Sequence, residues 1–380
     1  VDLRPQAVSL NSFNGFITLV DGNRLFFKTH TEEDNQLDEY YNASMLAEAG
    51  YPVIQPLYGS TKAGQHLLIY EVVEAPSVFD VAWDIEQGDS NQDKLGSLTK
   101  AQNTADIDLF TLYLNSLENV SNTASAPIHQ LFYHRLTQGR CTRFYGDFID
   151  ADGKSINLMS GQISMSVVAH KTWSINGQIY SDTLGTIVKR AIRLLTPDVS
   201  GISVIGHGDA HNGNVFLENV ANKPELLYFD PAFAGRHHPL LDLAKPLFHN
   251  VFAMWMYYPD VKNRTTNLIM HLGQNQITVE YNYELPPVRR MFLKSKLEHT
   301  LVPLLKHIRQ KHLLRDDWRV FLKSALFCCP FLTLNLADKN RFMPKIATLG
   351  LAMAIEMGAE SHQRRSLIDE TLDDVEDALK

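Results

Sequence analysis

The stretch Gly206-His207-Gly208-Asp209-Ala210-His211-Asn212-Gly213-Asn214 is followed, sixteen residues after its last Asn, by Asp230 in Leu226-Leu227-Tyr228-Phe229-Asp230-Pro231. An Asp and an Asn five positions apart, then a second Asp closing an apolar run, supply the polar groups that metal-assisted phosphoryl transfer requires. One carboxylate can accept the proton of an attacking hydroxyl, while the amide oxygen and the other carboxylate can hold Mg²⁺ against nucleotide phosphates. Two side chains suffice because Mg²⁺ takes oxygen ligands and keeps several waters. Gly, Asp and Asn also crowd into ordinary turns. The His-Gly prefix, the Gly before the Asn and the downstream run ending in Asp set this stretch apart. Ile202-Ser203-Val204-Ile205 reads as a strand entering it. Asn214-Val215-Phe216-Leu217 and Leu226-Leu227-Tyr228-Phe229 read as a hairpin with Asn222-Lys223-Pro224 in its connection.

The spacing H-x-D-x-x-x-x-N, written here His-Gly-Asp-x-His-x-Gly-Asn, resembles the aminoglycoside phosphotransferase and choline kinase branch of the protein-kinase-like fold. The resemblance implies an α+β, two-lobed fold with a small β-rich N-lobe over residues 1–75 and a larger, mostly helical C-lobe over 76–380. It implies Asp209 as base or hydroxyl orienter, Asn214 and Asp230 as Mg²⁺ ligands, and ATP or GTP as phosphate donor to a small hydroxyl compound. Asp242-Leu243-Ala244 resembles the brace that small-molecule kinases place after their metal Asp, and the same Asp also suits a helix N-cap.

Upstream, Phe16–Val20 and Arg24–Lys28 are strand-like runs joined by Asp21-Gly22-Asn23, residues a tight hairpin favours. Thr31-Glu32-Glu33-Asp34 has capping-box character, and a helix is expected from Asn35 to Ala49, stopped by Gly50 and Pro52. Val53–Tyr58 and His66–Val73 read as two more strands. Lys28 on a strand and Glu39 on the following helix match the ion pair that positions nucleotide phosphates in the kinase fold. An ammonium near the α- and β-phosphates offsets their charge, and a carboxylate tethers its flexible stem. Glu48 competes as partner but lies near the helix end. The stretch from Gln65 to Glu74 resembles the strand and hinge between the lobes, which puts the backbone of Glu71 to Val73 beside the nucleotide base. G-x-G-x-x-G is absent. Ser12 and Asn14, in the loop Ser9–Gly15 that precedes the first strand, are the candidate phosphate-loop contacts in its place.

Beyond Ala75 helical periodicity dominates. Asp106–Leu117, Pro127–Thr137, Ser181–Leu195, Val288–Lys311, Asp316–Leu326 and Pro344–Met357 are expected helices, with the acidic tail from Asp369 to Asp377 as a last helix or frayed end. Between them, residues 143–180 read as a β-rich insertion, with hairpin-type turns at Asp150–Lys154 and Asn176-Gly177.

Composition sets bounds. In 380 residues, 44% hydrophobic and 21% charged content is that of a globular chain, and a net charge of −8 without basic-aromatic runs argues against nucleic acid as partner. No apolar run approaches 18 residues, so no membrane span is expected. The first residues lack a basic segment leading into an apolar core. Three Cys are too few for a disulfide framework, and a cytoplasmic location is the expectation.

Three other chemistries compete. An atypical protein Ser/Thr kinase lacks its Ala-Pro-Glu and long activation segment here, and His211 stands where such kinases carry Lys. A metal-dependent phosphoesterase would recruit His207, His211, His237 and His238, but the Glu of H-E-x-x-H is missing. A non-catalytic nucleotide binder is the third, although Lys28, Asp209, Asn214 and Asp230 are all present. The acceptor stays open among a sugar, an aminoglycoside and an amino alcohol. Trp255, Tyr257 and Tyr258 are candidates to stack on it, and His211 or Arg236 to add a phosphate contact.

Overall fold

A computed structural model describes residues 2–3, 12–30, 37–60, 67–88, 92–197 and 200–380. The N-terminal part is an antiparallel sheet with one helix in its sequence. Its strands are β1 (Asp2–Leu3), β2 (Ser12–Thr18), β3 (Arg24–His30), β4 (Tyr58–Ser60) and β5 (Leu67–Glu71), in spatial order β1-β2-β3-β5-β4 among the described residues. The β2–β3 hairpin forms around Asp21-Gly22-Asn23, where Asp21 accepts from Asn23 N at 3.0 Å and Gly22 takes φ of +89°. Register places Asn14 opposite Lys28 and Leu25 opposite Glu71. Helix α1 (Leu37–Glu48) ends at Gly50, whose φ of +100° suits a helix stop.

Strand structure is not formed over Val53–Tyr58 as expected. Pro52 and Pro56 cannot donate to a ladder, and Val53 instead makes one parallel bridge to Tyr228 while β4 begins at Tyr58. Two backbone bonds, Ile54 N to Tyr228 O at 2.9 Å and Tyr228 N to Pro52 O at 2.8 Å, tie this segment to the far part of the chain. The Thr31–Asp34 capping box lies outside the described residues.

After the linking segment come α2 (Val78–Glu86), capped by Ser77, and α3 (Gln92–Ser116), longer at its start than periodicity suggested. β6 (Glu118–Val120) follows. The expected helix over 127–137 divides into a 3₁₀ turn, Pro127–Gln130, and α4 (Tyr133–Thr137), and α5 (Arg140–Tyr145) comes next.

The insertion contains two hairpins, β7 (Ser155–Leu158) with β8 (Gly161–Ser164), and β9 (Thr172–Ile175) with β10 (Gln178–Tyr180), separated by α6 (Met165–Ala169). Asn176-Gly177, both at positive φ, make the second turn as expected for a two-residue loop. Asp150–Lys154 does not join two strands. Gly153 there packs so closely that a Cβ would lie 2.7 Å from Ser166 N, and the first hairpin turns at Met159-Ser160 instead.

α7 (Leu184–Leu194) starts at a capping box on Thr183 and leads to β11 (Gly201–Gly206). The hairpin β12 (Val215–Val220) and β13 (Lys223–Tyr228) turns on Ala221 and Asn222, both with φ above zero, so Lys223 and Pro224 belong to the strand and not to the connection. β14 (Gly235–His237) pairs with β11, and α8 (Pro239–His249), α9 (Met254–Tyr257) and α10 (Pro259–Thr265) follow.

A hairpin absent from the sequence reading, β15 (Leu268–Leu272) with β16 (Gln276–Tyr281), sets β16 parallel to β9 and completes the sheet order β10-β9-β16-β15. α11 (Pro287–Lys296) passes through a π-helical turn into α12 (Val302–Gln310). α13 (Trp318–Leu332) runs on through Pro330, and α14 (Pro344–Gly358) and α15 (Leu367–Leu379) close the chain. The core lies where α8, α13 and α14 meet. Phe248, Trp255, Phe327, Phe331 and Ile355 are fully buried there, and Tyr145 stacks on Phe331 with centroids 4.4 Å apart. Cys328 and Cys329 are buried and unbridged in it. Among the described residues no helix is long and apolar enough to cross a membrane.

Candidate active site

The loop after β11 is shaped by close packing. Gly208 has φ of +81°, and a Cβ on it would stand 2.2 Å from Phe233 O, so no other residue fits. A Cβ on Gly206 would meet Asp242 Cγ at 2.6 Å. Asp242 is buried and accepts three bonds: from Gly208 N at 2.5 Å, from His237 Nε2 at 3.1 Å, and from the Tyr113 hydroxyl. Burial opposes its charge, but His237, Tyr113 and the Gly208 amide outweigh it and hold its carboxyl below the ordinary range. His238, not Asp242, caps α8. Asp242 is therefore a brace.

On the other side of the loop, His207 Nε2 meets Phe229 O at 3.0 Å, which fixes the loop against the end of β13. Asn214 Nδ2 donates to Asp209 O at 2.9 Å and Phe229 N donates to Asn214 O at 3.1 Å. Asn214 thus stands beside the residue before Asp230, with its amide nitrogen spent on the loop and its amide oxygen the group left for a cation. Asp230 sits at φ of +56°, an uncommon conformation that Asp tolerates better than most residues. Its carboxylate is 2.5 Å from Lys28 Nζ, and the next residue's carbonyl, Pro231 O, accepts from Asn42 Nδ2 on α1 at 3.1 Å.

Lys28 is mostly buried on β3, and Asn14 across from it is buried with an Oδ1 that has no hydrogen-bond partner. Sheet, helix α1 and the end of the β12–β13 hairpin therefore converge on one spot. The side chains of Glu39 and Ser12 lie outside the described residues. Glu48 is exposed at the helix end. Glu71 ends β5 with an exposed side chain, and Val73 lies in the linking segment, which pairs with β12 through Leu217 N to Pro76 O at 2.9 Å.

Asp209 has partners of its own. Its Oδ1 is 3.3 Å from Lys245 Nζ on α8 and 3.8 Å from His211 Nε2. Burial raises its carboxyl pKa, but Lys245, then His211 and Arg135, together hold it below the usual range, so it is ionised. Burial lowers His211 to about 4, which makes it a neutral neighbour at pH 7. Lys245 was missed in the sequence, although a Lys inside the apolar run Leu240–Phe248 is itself a signal.

The histidines do not gather. His207 serves Phe229, His211 accepts from Gly213 N at 3.0 Å, His237 serves Asp242, and His238 caps α8. Among the described residues no three His, Cys, Asp or Glu side chains are grouped to hold a metal ion. Asn214 and Asp230, an amide and a carboxylate at one end of a hairpin, are oxygen donors of the kind Mg²⁺ takes. Arg236 is turned away, bound to Ser116 O at 2.9 Å and Glu118 at 2.9 Å. Trp255 is core, Tyr257 donates towards His249 Nδ1 at 2.7 Å, and Tyr258 stacks on Trp83 with centroids 3.7 Å apart. A cavity of about 260 Å³ lined by Pro76, Val81, Asp93, Lys94, Ser97 and Leu217 touches none of the groups around Asp209 or Asp230.

No protein-family model matches the chain, and no curated protein matches it in sequence. Among solved structures it is similar to a thermostable mutant of the aminoglycoside phosphotransferase APH(4)-Ia, at 10% identity over 94% of each chain and a TM-score of 0.49. It is also similar to a Plasmodium vivax ethanolamine kinase, at 10% identity over 93% of this chain and 82% of that one, TM-score 0.42. A third is a microcompartment-associated aminopropanol kinase, at 12% identity over 93% and 89%, TM-score 0.41. These are likenesses of chain arrangement.

Proposed function

We propose that this chain is a small-molecule phosphotransferase of the aminoglycoside phosphotransferase and choline kinase type, which moves the γ-phosphate of ATP or GTP to a hydroxyl. The observation that carries the reading is the Lys28–Asp230 pair at 2.5 Å. It joins a sheet strand to the end of a hairpin far along the chain, beside Asn214 and one loop away from Asp209. Residues 1–75 serve as the nucleotide-binding lobe and 76–380 as the lobe that carries the acceptor.

In this reading Lys28 neutralises phosphate charge, with Glu39 as its tether. Asn14, with its unpaired buried oxygen, and Ser12 lie at the phosphate end of the sheet, and the backbone of Glu71 to Val73 meets the base. Asn214 and Asp230 would hold Mg²⁺, which when bound supplies charge neutralisation of the phosphates. Asp209, ionised, orients the acceptor hydroxyl and takes its proton. The hydroxyl oxygen bonds to the γ-phosphorus, the bond to the bridging oxygen breaks, and the electron pair leaves with the nucleoside diphosphate. The Asp242 brace keeps Asp209 in place through the Gly208 amide.

Incubation of the protein with Mg²⁺, ATP or GTP and a panel of hydroxyl compounds, followed by ³¹P NMR, tests the reading. A new phosphoester resonance with matching nucleoside diphosphate supports it. Release of inorganic phosphate from a phosphoester in place of transfer would support the phosphoesterase alternative.

A further inference from the structure

Helix α8 grips the loop after β11 along one of its faces. Asp242, Lys245 and His249 follow one another on it at helical spacing, which puts them in one row. Asp242 accepts from Gly208 N at 2.5 Å, Lys245 Nζ stands 3.3 Å from Asp209 Oδ1, and the His249 ring lies 5.5 Å from that of His211. The row ends at the helix cap, where Asn250 Oδ1 accepts from Asn212 N at 2.7 Å. Gly208, Asp209, His211 and Asn212 are thus each met from α8 or its cap, and Lys245 meets the carboxylate itself.

Lys245 is a costly residue where it stands. Every residue of α8 is buried, and Lys245 shows only 4% of its side chain to solvent. A buried ammonium and a buried carboxylate each destabilise the fold unless they meet. Among the described residues, Asp209 is the carboxylate within reach of Lys245. An apolar side chain would fill the helix at less cost, so stability alone does not account for the pair. The two oxygens of Asp209 differ. Oδ1 is buried and faces the ammonium, so the 14% of the side chain left exposed lies elsewhere on it. His211 closes the same side. Its Nδ1 accepts from Gly213 N at 3.0 Å, so Nε2 carries the proton, and Nε2 stands 3.8 Å from Oδ1. We infer that Lys245 is the positioning residue for Asp209, holding Oδ1 against α8 and so leaving Oδ2 to meet the acceptor hydroxyl. This rests on the proposed phosphotransfer. A carboxylate gripped by an ammonium is a weak base, which suits a loose transition state where orienting the hydroxyl matters more than taking its proton early.

Double-mutant cycles on the full chain test the contact through stability and its role through turnover. Lys245→Met should lower the urea midpoint, and should lower it much less when Asp209 is already Asn, because the stranded carboxylate is then gone. Turnover is measured with Mg·ATP and the hydroxyl compound that gives a phosphoester in the ³¹P NMR panel, or with water as acceptor if none does. Lys245→Met should lower kcat at least about tenfold, as a misplaced reacting group does, with no further loss in the Asp209→Asn background. The dissociation constant of a non-hydrolysable Mg·ATP analogue should stay within about twofold, since the effect belongs to the transition state. Lys245→Gln serves if Lys245→Met does not fold. Additive losses in either cycle, or an unchanged kcat, overturn the inference. So does weakened binding of the analogue, because Lys245 would then serve the nucleotide phosphates. A wild type that binds no Mg·nucleotide, or binds it and transfers phosphate neither to a hydroxyl compound nor to water, overturns phosphotransfer and this role with it, whereas the earlier outcomes overturn the role alone.

Discussion

Replacing Asp242 should cost stability and turnover together. Its buried carboxylate accepts from Gly208 N at 2.5 Å, from His237 Nε2 at 3.1 Å and from Tyr113. Asp242→Ala strands all three donors, each worth about 1–3 kcal/mol when buried and unsatisfied. Water entering the vacated space lowers that sum, so the expected loss is about 3–5 kcal/mol, as for a broken buried charge pair. In Asp242→Asn the amide oxygen still accepts two bonds while the amide nitrogen opposes the third donor, and about 1–3 kcal/mol is expected. Urea unfolding at pH 7 gives the global loss, and hydrogen exchange at the Gly208 amide gives the local one. Because Gly208 precedes Asp209, a shift of the loop by about 1 Å should lower kcat by about 10²-fold even where the fold persists. A loss below about 1 kcal/mol in Asp242→Ala, with the Gly208 amide as protected as before, would refute the brace.

Gly208→Ala should be severely destabilising, because a Cβ there meets Phe233 O at 2.2 Å, whereas Gly22→Ala, at φ of +89° with nothing within 4 Å, should cost only about 1–2 kcal/mol; melting curves of the two decide it. Glu356 is buried against the Tyr281 hydroxyl at 2.5 Å, and burial raises its carboxyl to about 7. Its folded value exceeds the unfolded one, so its stabilising share is full in acid and is lost as pH rises through about 7. Glu356→Gln should therefore gain about 1–3 kcal/mol at pH 8.5 and nothing at pH 4, as read by urea midpoints at both. Asp209→Asn should lower turnover about 10²–10⁴-fold with nucleotide affinity kept. Asp230→Asn should lower turnover and Mg²⁺-dependent nucleotide affinity together, and unchanged affinity would move the metal site elsewhere.

The loop and its hairpin were legible because their chemistry is local. A Gly-Asp-Asn spacing, a strand before it and an apolar run ending in Asp need no distant partner to be read. The Asn176-Gly177 turn and the stop at Gly50 were legible for the same reason, since φ above zero selects those residues. What escaped depends on packing. Lys245 comes from α8, and only the fold sets it beside Asp209. The β15–β16 hairpin did carry a local signal, two alternating runs around Gly273-Gln274-Asn275, and its register with β9 is tertiary. Asp242 suited a cap or a brace in sequence, and only His238 taking the cap decides it. The Asp150–Lys154 turn residues were genuine, but Gly153 is there for close packing against Ser166.

The most direct test of the account is the binding of Mg·nucleotide at Asn214 and Asp230. Thermal unfolding with ATP or GTP at about 100 times its dissociation constant, with Mg²⁺ or with EDTA, reads it. Such binding contributes about 2.7 kcal/mol, or about 3 °C for a chain of this length. The account predicts that rise for one or both nucleotides with Mg²⁺, its loss in EDTA, and its loss in Asp230→Asn. An unshifted melting temperature with both nucleotides at millimolar Mg²⁺, or a full shift in Asp230→Asn, would contradict it.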